Sequence, residues 1–168
     1  MSTTPPILTG ISVTDIDRPR LIFHGAIVLL VGLLSGLPTV VESINESGRY
    51  WHTAHEALIM MGIWMLAASS VLPALVLERR ERKALVWSLF VVGYGFSVAL
   101  VVGGAVGANA FEPGGTPATF TAFVAAVVGI AGAFVATALT LMGARAALKG
   151  AQPDGTPVEK SPPRSTYQ

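Results

Sequence analysis

Four apolar runs, each long enough to cross a bilayer as a helix, leave this chain of 168 residues little freedom of fold. A helical span needs about 20 largely apolar residues, in a range of roughly 17–25. The runs lie at about Leu21–Val41, Trp51–Leu77, Ala84–Ala108 and Thr119–Ala144. Lipid offers backbone amides no partner, so each run must satisfy its own N–H and C=O groups, which a helix does. The expected fold is all-α: a polytopic membrane protein, a four-transmembrane-helix bundle with short loops, occupying residues 19–149. With 52% hydrophobic and 12% charged residues, the chain is too apolar for an ordinary soluble domain. Residues 1–18 and 150–168 are rich in Pro, Ser, Thr and Gly and have little apolar surface to bury, so both are expected to be disordered tails. No internal repeat or second domain is visible.

Lysine and arginine placement sets the expected orientation. Arg18 and Arg20 precede the first run, and Arg79, Arg80, Arg82 and Lys83 fill the turn between the second and third. Arg145, Lys149, Lys160 and Arg164 follow the fourth, and only Arg49 lies on the other side, beside Glu42, Glu46 and Glu112. Ten of eleven basic residues therefore share one side, which predicts both termini in the cytoplasm. Topology accounts for the basic turn without a lipid or nucleic-acid patch. A formal charge of +1 excludes a strong general attraction to nucleic acid. The absence of cysteine excludes disulfides, thiolate metal sites and iron–sulfur clusters. The start of the chain lacks the basic segment of a secretory signal.

Small residues recur at four-residue spacing, Gly32 with Gly36, Gly103 with Gly107 and Ala125 with Gly129, a pattern that lets helices approach closely in lipid. Which helices meet is not legible from it.

A short polar sequence, Tyr50-Trp51-His52-Thr53-Ala54-His55-Glu56, opens the second run. Ionisable groups are expensive where a helix enters lipid, and they commonly mark a site. His52 and Glu56 stack on one helical face, four residues apart, and His52, His55 and Glu56 together could hold zinc. The alternative is an interfacial helix start, with Trp51 in the aromatic belt and the polar groups reaching headgroup water, and it is the favoured reading for His52 and Glu56. His55 is deeper, on a face that continues into Ile59 and Gly62, and is expected to be a ligand.

His24, near the opposite end of the first run, is expected to lie roughly 20 Å from His55 in depth, given a hydrocarbon core near 30 Å. Two axial nitrogens on one haem stand only about 4 Å apart. Any haem here should therefore have one histidine and an open face, which suits catalysis or small-molecule binding. Met60, Met61 and Met65 most simply fill gaps between helices. Tyr94 is the only tyrosine in the third run, and its hydroxyl must find a partner, a substrate oxygen or a neighbouring carbonyl.

Several short motifs, in order, resemble the styrene oxide isomerase family. They are Phe23-His24-Gly25, an aromatic residue three before Ala54-His55, Val71-Leu72-Pro73, the basic turn, Gly93-Tyr94, and Pro113-Gly114. The similarity covers about Arg20 to Lys149. The resemblance implies a four-helix membrane protein of the bacterial inner membrane that assembles as a homotrimer and binds haem b. Ferric iron would act as a Lewis acid on a hydrophobic epoxide, and a 1,2-shift would give an aldehyde without net redox change. His55 matches the family's axial histidine and His24 its glycine-flanked histidine. His52 and Met61 are the further cofactor-binding candidates; Met61 stands where the family has asparagine, and the family's tyrosine falls near Leu100. Tyr94 is the expected catalytic donor. The alternative function is a non-enzymatic haem-binding membrane protein, a sensor or carrier.

Overall fold

The computed structural model describes residues 16–41 and 46–150. The expected disordered tails lie outside the described residues except at their inner edges, where Asp17 and Arg18 are already helical. Helix α1 spans Asp17–Ser35 and a short α2 spans Leu37–Val41. Helix α3 spans Glu46–Val71, α4 spans Arg79–Val106 and α5 spans Pro117–Gly150. Four segments are long and apolar enough to cross a membrane, α1 with α2 forming the first. The all-α, multi-pass reading therefore holds.

Each element ends where local chemistry dictates. At the end of α3, Pro73 removes an amide and the chain tightens into a 3₁₀ turn over Leu72–Ala74 before extending at Leu75. The basic segment read as a turn is instead the first turn of α4. Glu78 caps its N-terminus, and Glu81 returns the bond, with the Glu78 amide donating to Glu81 Oε2 at 2.9 Å. Helix α4 stops at Gly107, whose φ of 64° places it in the left-handed region that glycine adopts without cost. Ala108 N then donates to Gly103 O at 2.9 Å, so the Gly103–Gly107 pair belongs to a helix end and not to a helix–helix contact.

Helix α1 pairs chiefly with α3 and α4 chiefly with α5, and α3–α4 contacts join the two hairpins. Gly95 of α4 lies against Ala125 and Gly129 of α5, which is where the third small-residue pair is used. The core is a column of Leu21, Val28, Leu58, Met65, Leu72, Leu85 and Leu89. Leu33, Val40, Phe134 and other large apolar side chains face outward. On a soluble surface they would form adhesive patches; in a bilayer they are the lipid contact. Asp17 of α1 and Arg82 of α4 meet at 3.9 Å, so the basic starts of α1 and α4 share one end of the bundle.

Candidate functional site

The expected ligand, His55, and the second histidine, His24, are built into different interfaces. His55 packs between α3 and the end of α1. Gly36 N bonds Leu33 O at 3.1 Å, a tightening to i→i+3 that leaves Gly32 O, one of the last carbonyls of α1, free of its usual amide. Two side chains take it: Ser35 Oγ donates at 2.8 Å, and His55 Nδ1 lies 2.8 Å away. A carbonyl can only accept, so Nδ1 carries a proton, and Nε2 is the ring nitrogen left to present a lone pair. Metal-binding histidines are usually fixed in this way, one ring nitrogen held by a carbonyl and the other left to bind.

Glycines make that placement possible. A Cβ on Gly32 would lie 2.7 Å from the backbone nitrogen of Ile59, and one on Gly36 would lie 2.6 Å from His55 Nδ1. Gly32 therefore lets α1 approach α3 closely, and Gly36 gives the imidazole its floor. The first small-residue pair thus marks the α1–α3 contact.

His24 belongs elsewhere. Its Nδ1 lies 2.6 Å from Tyr94 Oη, and its ring sits on Phe90 with centroids 4.5 Å apart. From His24 to Gly32 and Gly36, the two glycines that seat the His55 ring, is eight to twelve residues of nearly continuous helix, about 12–18 Å at 1.5 Å per residue. The imidazoles of His24 and His55 are thus on separate levels, in line with the depth estimate from sequence. Tyr94 goes with His24. Leu100, near which the resemblance puts a tyrosine, is buried, lines a cleft with Tyr50 and Thr53, and lies six residues further along α4.

His52 and Glu56 face outward, 63% and 67% exposed, with Nδ1 and Oε2 3.6 Å apart. Among the described residues, no three His, Cys, Asp or Glu side chains gather to hold a metal, so His52, His55 and Glu56 do not form a zinc site. Met61 is half-buried against the core, six residues and about 9 Å along α3 from His55. The donor set is a single imidazole, that of His55. That fits a haem held through one histidine and fits no closed protein cage.

The residues that sequence reasoning missed are Gly32 as a carbonyl partner, Ser35 beside it, and Gly36 as the ring's floor. Pro38 was the available signal: lacking an N–H, it cannot pair with Leu34 O, so a helix break just before it is expected. A groove of about 490 Å³ lies away from His55, between α4 and α5, where Val91, Tyr94, Val98, Phe120 and Val124 line it.

A family model described as styrene oxide isomerase matches residues 17–148. No curated protein and no solved structure matches the chain.

Proposed function

Because the chain belongs to the styrene oxide isomerase family over residues 17–148, we propose that it isomerises a hydrophobic epoxide to an aldehyde with haem b held by His55. The observation that carries the ligand assignment is the Nδ1–H bond to Gly32 O, which leaves Nε2 as the binding atom. When bound, ferric haem b supplies a Lewis-acidic centre that stabilises negative charge developing on the epoxide oxygen. The protein supplies the rest. His55 binds through Nε2, Gly32 O fixes the ring's tautomer and direction, and Ser35 and Gly36 hold that carbonyl and ring in place. The apolar outer surface gives a hydrophobic substrate a path from the bilayer.

For Tyr94 the geometry favours a positioning role. Its hydroxyl is committed to His24, on a level about 18 Å along α1 from Gly36. In the trimer that the resemblance implies, a three-fold axis along the membrane normal would keep every copy's Tyr94 at that same level. We therefore assign Tyr94 and His24 to each other; the catalytic donor role stands or falls on turnover of Tyr94→Phe. In orientation, the charge bias supports a cytoplasmic basic end. A cysteine at Gly115, which has open space around it, should react with an impermeant thiol reagent on intact cells, and one at Gly150, also open, should not.

The deciding experiment is a visible spectrum of the detergent-purified protein, followed by incubation with aryl and alkyl epoxides and aldehyde detection. A Soret band with aldehyde formation is the expected result. Colourless protein from haem-replete cells would sink the haem assignment, and coloured protein inert to every epoxide would favour a haem sensor or carrier.

A further inference from the structure

The cytoplasmic-type basic end of the bundle is more organised than membrane topology requires. Orientation needs only that lysines and arginines be near the headgroups; it does not need them to converge. Here Arg20 of α1 and Arg79, Arg82 and Lys83 of α4 surround one cleft of about 360 Å³, with Asp17 the only acidic residue lining it among the described residues. Glu78 and Glu81, the nearby carboxylates of α4, are engaged in capping that helix and do not line it.

Within the cleft, Arg82 is short of a partner. Its side chain is 22% exposed, and Nε is the one buried side-chain nitrogen or oxygen among the described residues that lacks a hydrogen bond. Asp17 Oδ2, at 3.9 Å, is too far to supply one. An arginine N–H withdrawn from water and left unpaired is costly, so an acceptor is called for. The surrounding charge specifies an anion, and a guanidinium fork suits phosphate oxygens.

A second feature says which kind of phosphate. The basic cleft adjoins a smaller slot of about 180 Å³ that shares Asp17, Arg20 and Lys83 with it on one side and is lined on the other by the apolar Val86, Trp87 and Phe90. Trp87 is 67% exposed one turn beyond Lys83, as expected of a side chain seated at the headgroup level. Charged groups beside an apolar wall of Val86, Trp87 and Phe90 match a molecule with a phosphodiester and an acyl chain.

We propose that the cleft between the N-terminal ends of α1 and α4 is a binding site for the phosphate headgroup of an anionic phospholipid, with Arg20, Arg82 and Lys83 on the phosphate and an acyl chain along Trp87 and Phe90. Asp17 competes with the phosphate for Arg82 and so limits affinity. The site rests on membrane insertion alone and does not depend on haem or on epoxide chemistry.

The test is native mass spectrometry of the full chain in mild detergent, titrated with phosphatidylglycerol, phosphatidylcholine or inorganic phosphate. Phosphatidylglycerol should be retained in preference to phosphatidylcholine, and excess inorganic phosphate should not displace it. Arg20→Gln and Arg82→Gln should each weaken retention about five-fold, from roughly 1 kcal/mol per basic residue near the surface. Asp17→Asn should strengthen it, and Arg145→Gln, at the same end but outside the cleft, should leave it unchanged. Equal loss with Arg145→Gln would mean diffuse surface attraction and overturn the site. So would equal retention of phosphatidylcholine, or no gain with Asp17→Asn, which remains readable if an arginine variant fails to fold. Displacement by inorganic phosphate would identify a free-anion site and overturn the lipid assignment.

Discussion

Helix α1 serves two histidine environments, and they differ in what the partner atom permits. At its C-terminal end, the carbonyl of Gly32 receives His55 Nδ1–H, and a carbonyl allows one tautomer only. Nearer its N-terminal end, His24 meets the hydroxyl of Tyr94 at 2.6 Å, and a hydroxyl can donate or accept. The first pairing directs a lone pair outward from a fixed ring. The second ties α1 to α4 and leaves the ring's protonation open. Both imidazoles are half-buried, so burial alone would not have separated them. The identity of the acceptor does.

That contrast is most directly broken by deleting each ring. His55→Ala is expected to abolish haem retention, read as complete loss of the Soret band, while His24→Ala keeps it. Equal loss in the two variants would mean that the separation of levels along α1 is wrong.

A gentler change sharpens the same comparison. Gly36→Ala would put a methyl carbon where His55 Nδ1 leaves 2.6 Å, pushing the ring off its carbonyl while every candidate ligand stays in place. Disturbing an outer partner of a metal-binding histidine typically costs about 10–100-fold in affinity. Haem titration of the apoprotein should show a loss of that order, and an unchanged affinity would remove the Gly32 carbonyl from the assignment.

The smallest effect belongs to the other pair. Tyr94→Phe removes one hydrogen bond, worth about 1 kcal/mol of stability. A modest fall in melting temperature, with haem content and epoxide turnover per haem unchanged, is expected. A drop in turnover of about 10²–10³, the usual result of losing a well-aimed donor, would instead restore Tyr94 to the reacting oxygen.

The four spans were legible because composition settles them: in a bilayer, a run such as Thr119–Ala144 has no stable alternative to a helix. Helix ends were legible in part. The Glu78 and Glu81 spacing is a capping signal that places Arg79–Lys83 inside α4, yet the density of charge reads more readily as a turn. His55 stood out by its depth. Its partner did not, because Gly32 O is a backbone atom freed by a local tightening 23 positions earlier in the chain. The His24–Tyr94 and Asp17–Arg82 pairs join residues far apart in sequence, and only the docking of α1 on α4 brings them together. Small-residue spacing announced close approach, and the partner helices had to come from the fold.

The unequal lengths of the helices bear on how the protein fits its membrane. Helix α5 has 34 residues, about 51 Å at 1.5 Å per residue, against a hydrocarbon core of about 30 Å. Its surplus carries Arg145 and Lys149, which can slide through the headgroups at little cost. The first span, residues 17–40, has 24 residues and is the shortest. Hydrophobic mismatch costs fractions of a kcal/mol per Å, and a thickened bilayer loads the shortest rod first. That rod, about 36 Å at 1.5 Å per residue, is interrupted at Gly36, beneath the His55 ring, so the span with the least surplus over the hydrocarbon core is also the one that seats the ring.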